Sequence, residues 1–124
     1  MENVLKKIVD KKREKIEIYK KNYIENKLIK NIKNIKNFVN FKDKIKKRNI
    51  EKKISIIGEI KKASPSSGVL VENFDPINIA KMYIENGIPF LSVLTEENFF
   101  QGKLDHIKNI KKNTKSLFYV KIFL

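Results

Sequence analysis

ISIIGEIKKASPSSG, residues 54–68, changes character at its middle. Ile54 to Ile60 are apolar and mostly β-branched, the composition of a buried strand, and the serine, proline and glycine that follow are loop formers. Working forward, Asp75 before Pro76 is a helix N-cap followed by proline at the first helical position. Ile79, Ala80, Tyr83 and Ile84 then share one face, and Gly87 marks the helix stop. Ile88 to Thr95 reads as a second strand and EENFFQG (96–102) as a second loop. Lys103 to Asn113 reads as a helix with Leu104, Ile107 and Ile110 inward, and Leu117 to Leu124 as a third strand. The order βαβαβ predicts an α/β protein with a parallel sheet; a closed barrel and an open doubly wound sheet both satisfy it.

Working backward from Ile54, the chain becomes strongly basic. Residues 1–53 carry 19 Lys/Arg against 7 Asp/Glu, whereas residues 54–124 carry 9 against 7. We therefore divide the chain into a basic amino-terminal helical extension, 1–53, and an α/β part, 54–124. In the extension Leu5, Ile8, Val9, Ile16, Tyr19 and Tyr23 fall near one helical face, which predicts an amphipathic helix over about residues 2–23. In KNIKNIKNFVNF (30–41) the apolar residues recur every third position, a spacing that drifts by about 60° per step around an α-helix. That stretch reads as low in complexity, with a short helix around Phe38 to Ile45.

Size and composition narrow the function. At 124 residues the chain is one domain at most, with room for only a few βα units. It has no cysteine and a single histidine, His106, which argues against a disulfide framework, a histidine cluster and metal catalysis. The apolar runs are far shorter than the roughly 20 residues of a membrane helix, and the start MENVLKKIVDKKREK lacks the apolar core of a secretory signal. A soluble cytoplasmic protein is expected. The net charge of +14 raises the question of nucleic acid, but lysine supplies 26 of the 28 basic residues and only Arg13 and Arg48 offer the planar fork that base recognition favours. With isoleucine (20) and asparagine (14) also inflated, drift toward AT-rich codons explains the lysines more simply, and a solvated lysine surface is expected rather than a specific nucleic-acid site.

Candidate chemistry lies at the strand ends. Glu59 and Lys61 are two apart and share one side of the first strand with Ile57, and charged groups at the carboxyl ends of parallel strands are where α/β enzymes place their sites. Lys121 repeats the arrangement on the third strand. The alternative is structural: an ion pair between Glu59 and Lys61, and a Lys121 that frays into solvent. In the loops, Ser64, Pro65 and Ser66 could meet an anion or simply form a turn, and Phe99 and Phe100 could meet an apolar ligand or plug the core. The four glycines are scattered, so no Gly-rich phosphate fingerprint occurs. His106, inside a helix with Lys108 and Lys111 nearby, reads as a surface residue.

GEIKKASPSSG (58–68), FDP (74–76) ahead of a helix, SVLTEENFFQG (92–102) and a strand carrying Lys121 and Phe123 resemble, in wording and order, the first three βα units of the indole-3-glycerol-phosphate synthase family. The amino-terminal MENVLKKIVDKKREK is similar to that family's extra helix. The resemblance implies a (β/α)8 TIM barrel, of which this chain would hold the helical extension plus βαβαβ. It also implies a carbon-carbon lyase of tryptophan biosynthesis that closes the indole ring of 1-(2-carboxyphenylamino)-1-deoxyribulose 5-phosphate, releasing CO2 and water, with no metal or cofactor. By resemblance, Lys121 is the proton donor, Lys61 holds the substrate carboxylate, Glu59 fixes the lysine network and assists proton handling, and Ser64, Pro65, Phe100 and Phe123 line the anthranilate pocket. One departure is Ile122, where the family has aspartate. Another is the end at Leu124, before the later glutamate base and phosphate loops, so the chain is expected to be a fragment or decayed gene product, inactive alone, whose partner is the carboxyl-terminal part of the barrel. Two other functions are alternatives. One is a noncatalytic remnant whose basic segment binds RNA or anionic surfaces. The other is another phosphate-handling barrel enzyme, such as the related phosphoribosylanthranilate isomerase, a family that lacks the E-x-K-x-x-S-P-S loop.

Overall fold

A computed structural model of the chain describes residues 3–23, 25–36, 40–114 and 120–123, the last four as backbone only. The chain divides into two compact units, Met1–Phe38 and Val39–Leu124, so the division falls well ahead of the change in charge at Ile54.

The first unit holds α1 (Val4–Asn22) and α2 (Glu25–Lys33). The Asn3 side chain caps α1 by accepting from the Lys6 N–H at 3.3 Å, satisfying one of the N–H groups that a helix start leaves unpaired. Lys11–Glu14 and Glu17–Lys20 pairs run along its exposed side, and the rings of Tyr19 and Tyr23 meet edge to face at 5.8 Å. No residue of either helix is buried; Leu5, for instance, is 67% exposed. The three-residue apolar spacing does not prevent a helix over Glu25–Lys33, because Leu28, Ile29 and Ile32 still cluster within one turn.

In the second unit, α3 (Phe41–Ile50) is capped by Asn40, whose side chain accepts from the Asp43 N–H at 3.2 Å. The helix starts and ends later than the sequence suggests. Asn40 fixes the start, and Phe41 anchors it by packing edge to face on Phe90 of the sheet at 5.0 Å. Arg48 donates to the Ile54 carbonyl at 2.6 Å and ties the helix to the chain entering the sheet.

Three parallel strands follow, β1 (Ile57–Ile60), β4 (Phe90–Leu94) and β5 (Val120–Phe123), side by side in chain order. Between β1 and β4 lie a small antiparallel hairpin, β2 (Ala63–Ser64) and β3 (Gly68–Val69), and α4 (Pro76–Glu85); α5 (Leu104–Asn113) leads towards β5. Asp75 caps α4 through the N–H groups of Ile77 and Asn78, and Gly87, at φ +75°, turns the chain out of it. Gly58, Ile60, Leu91 and Val93 share the face that receives α4 and α5, where Ile60, Ala80, Leu91, Val93, Ile107 and Ile110 make a continuous core. Full burial of each large side chain there contributes roughly 1.5–3 kcal/mol. Gly58 is needed for this packing, because a Cβ would stand 2.7 Å from the Tyr83 ring.

The first strand is shorter than Ile54 to Ile60. Pairing begins at Ile57 opposite Phe90, and Ile54, without a ladder partner among the described residues, is 79% exposed.

Candidate active site

The ladder aligns the candidate residues by register. Glu59 pairs with Ser92, and Ser92 with Lys121, so an acid, a hydroxyl and a base occupy one row across three strands. Glu59 lies on the face away from α4 and α5, and its Oε1 meets the Lys61 Nζ at 2.8 Å. Both side chains are partly solvated, so the pair contributes little to stability, about 0–1 kcal/mol, and its value is positional. From the other face of β1 the Tyr83 hydroxyl donates to the Glu59 carbonyl at 3.1 Å, fixing the backbone that carries the acid. The side chains of Lys121 and Phe123 lie outside the described residues; their backbone in β5 stands opposite Ser92 and Leu94.

Ser64 and Pro65 belong to the hairpin rather than to an open loop. Ser64 pairs with Gly68, and its Oγ accepts from the Ser67 N–H at 3.2 Å and lies 3.4 Å from the Ser66 Oγ. The serine run is therefore turn chemistry at its base. The hairpin stayed hidden because each of its strands is two residues long, too short to show an alternating pattern.

The second loop is organised by a residue that sequence reasoning missed. The Glu96 carboxylate accepts from the backbone N–H groups of Phe99 at 2.6 Å, Asn98 at 2.9 Å and Phe100 at 3.3 Å, and from the Asn98 side chain at 3.2 Å. Partial burial opposes its ionisation, but these donors outweigh that and hold its pKa below the ordinary glutamate value. Phe99 and Phe100 are thereby held half-buried beside the end of β4. Gly102 closes the loop, donating to the Glu96 carbonyl at 2.7 Å and passing so near the Leu94–Thr95 backbone that a Cβ would clash with the Leu94 carbonyl oxygen. A carboxylate one position past an apolar run gives no hint that its partners will be main-chain N–H groups.

His106 is half-buried rather than on the surface. Its ring packs against Phe74 at 5.5 Å, its Nδ1 is buried without a partner among the described residues, and burial followed by the nearby Lys103 holds its pKa below the ordinary histidine value. An open recess of about 610 Å³ at the start of α5 is lined by Lys62, Lys103, Lys108 and their neighbours, and it includes none of the seven candidate site residues. Ser92 is a further residue missed in the sequence: it is 3% exposed and its Oγ has no partner among the described residues, a state that costs about 1–3 kcal/mol unless a partner arrives.

Parallel strands joined by helices define an α/β scaffold; a barrel wall and one half of an open sheet share this arrangement. Comparison with known proteins resolves the choice. The family model for indole-3-glycerol phosphate synthase matches residues 5–124, and the chain belongs to that family, whose fold is the TIM barrel. The chain is 56% identical over 59 residues to an indole-3-glycerol phosphate synthase of Acetivibrio thermocellus, a match covering 48% of this chain and 23% of that protein. It is 48% identical over 75 residues to one of Campylobacter jejuni, covering 60% and 29%. The matched segments thus span less than a third of these relatives' own length.

Proposed function

We propose that these residues form part of an indole-3-glycerol-phosphate synthase, closing the indole ring of 1-(2-carboxyphenylamino)-1-deoxyribulose 5-phosphate with loss of CO2 and water in tryptophan biosynthesis. The observation that carries the reading is the row Glu59, Ser92, Lys121, with Lys61 ion-paired to its acid, at the carboxyl ends of parallel strands in a chain of this family. Attack of an aromatic carbon on a ketone builds negative charge on the carbonyl oxygen, and a lysine ammonium supplies both charge and proton there. We assign that role to Lys121. Lys61 binds the substrate carboxylate and orients the ring, and Glu59 holds Lys61 and assists proton handling. Ser64, Pro65, Phe100 and Phe123 form the anthranilate wall, and Ile122 leaves the lysine row without the family's aspartate. On this reading residues 1–53 are a basic extension and 54–124 the first three strands of the barrel, in a cytoplasmic enzyme whose remaining phosphate and substrate contacts come from further strands.

The test is a pair of substitutions in an enzyme with the full complement of barrel strands. Lys121→Met keeps the apolar stem while removing proton and charge, and turnover should fall by about 10² to 10⁴, equivalent to about 3–5 kcal/mol of transition-state stabilisation. Lys61→Met should also weaken substrate binding, since its partner is already charged in the ground state. Single-turnover rates and affinities separate the two. A Lys121→Met enzyme that keeps more than about a tenth of the rate, less than the usual contribution of a general acid, removes Lys121 from the role and leaves Lys61 as the candidate.

A further inference from the structure

We propose that Glu96 is a positioning residue for substrate binding: its carboxylate gathers the backbone N–H groups of Asn98, Phe99 and Phe100, so that Phe100 stands ready as the wall against which the aromatic ring of the substrate packs. The inference rests on the reading of Phe100 as part of the anthranilate wall.

Four observations carry it. The main-chain donors lie two, three and four residues beyond Glu96, and a carboxylate that gathers such groups ordinarily starts a helix, as Asp75 does for α4 through Ile77 and Asn78. Here α5 begins only at Leu104, so the bonds shape the loop itself. Second, the clasped residues include two adjacent phenylalanines that are half-buried, yet among the described residues neither belongs to the core cluster nor to the side chains packed against it, which are Phe74, Ile79 and Tyr83. They are not a plug over the core. Third, the exit of the loop is held as firmly as its entry: Gly102 donates to the Glu96 carbonyl at 2.7 Å, and Gln101 is fixed at φ +51°, a left-handed conformation that side-chain-bearing residues seldom adopt and that gathers at binding sites. Fourth, the loop leaves the carboxyl end of β4, the end of the sheet that also carries Lys61, which follows Ile60 of β1, the register partner of Val93. The substrate bears its carboxylate on its aromatic ring, so a cation and an aromatic wall at one end of the sheet address two parts of one group.

The clasp acts by pre-organisation. A loop already held in its binding form spares the substrate the cost of ordering it, whereas a loosened loop presents Phe100 only part of the time and weakens the apparent affinity by that fraction. Once substrate is bound the wall is complete in either case, so KM should rise while kcat is kept. A glutamate that only stabilised the fold would instead lower the amount of active enzyme, and with it the apparent kcat, leaving KM in place.

The experiment measures kcat and KM for ring closure in wild type, Glu96→Gln, Glu96→Asp, Phe100→Ala and the double variant Glu96→Gln/Phe100→Ala, in an enzyme with its full complement of barrel strands. The expected result in Glu96→Gln is a KM raised by about 3–10-fold with kcat within about twofold of wild type. Glu96→Asp, whose shorter side chain can keep the two nearer N–H groups as Asp75 does, should lie between the two. Phe100→Ala should raise KM at least as far as Glu96→Gln does, and Glu96→Gln should then add nothing to it, because residues that act through one another are not additive. Should Glu96→Gln fail to fold, Glu96→Asp makes the same comparison with Phe100→Ala. An unmoved KM in the Glu96 variant, or an effect that adds in full to that of Phe100→Ala, overturns the role of Glu96 and leaves the wall standing. A Phe100→Ala enzyme with the wild-type KM overturns the wall and this inference with it.

Discussion

The two faces of β1 have opposite fates although they alternate within four residues. Gly58 and Ile60 turn toward α4 and α5 and are buried, while Ile57 and Glu59 turn away and are exposed. One face is shaped by packing: glycine where the Tyr83 ring comes close, and isoleucine where the core must be filled. The other carries an ion pair and a half-exposed isoleucine, a surface that contributes little to stability and is free to serve chemistry. A period of two lets one short strand do both, and a slip of one residue in register would exchange them.

The largest effect should come from the packed face. Ile60→Ala removes a fully buried side chain from the centre of the core and should cost about 2–5 kcal/mol, read by urea denaturation. A cost below about 1 kcal/mol would show that the helices do not cover this face in solution.

An intermediate effect should appear at the loop that ends β4. Glu96→Gln keeps an acceptor oxygen but loses the charge that three backbone N–H groups address, at a cost of about 1 kcal/mol near neutral pH. The sign with pH follows from the lowered pKa. The contribution is complete above the unfolded glutamate pKa of roughly 4.3 and is lost as pH falls through the lower folded value. Wild type and variant should therefore differ at pH 6 and converge in acid; a difference that persists unchanged at pH 2 would remove the charge from the explanation.

The smallest effect belongs to the open face. Ile57→Thr replaces a residue 49% exposed and should change stability by no more than about 0.5 kcal/mol in this 124-residue chain. If thermal melts show a loss comparable to that of Ile60→Ala, something covers the open face and the contrast between the faces disappears.

Much of this was legible in the residues. Apart from the hairpin, the strand and helix order from Ile57 onward follows from caps and periodicity, as Asp75, Pro76 and Gly87 illustrate, and the Glu59–Lys61 pair follows from their spacing of two. The three-residue apolar spacing concealed the helix Glu25–Lys33, and the run Ile54–Ile56 suggested a longer strand because sequence does not reveal where a partner strand begins. Ser92 was invisible for a related reason: its position between Glu59 and Lys121 exists only once β4 and β5 are in register, with partners 33 and 29 residues away in the chain. Neighbours brought together across strands leave little trace in local pattern, whereas an acid and a base two residues apart announce themselves.

The Glu96 clasp bears on the order in which the molecule assembles. Its acceptor contacts reach only residues 98–100, and the backbone bond from Gly102 closes a ring of seven residues. Loops of about this size close in roughly 10–100 ns, whereas parallel pairing of β1 with β4 must wait for a crossover of some thirty residues. The aromatic segment Phe99–Phe100 is therefore expected to be shaped before the sheet that it borders. Glu96→Gln should slow folding in proportion to its loss of stability, a φ-value near one, while Ile60→Ala should act more on unfolding.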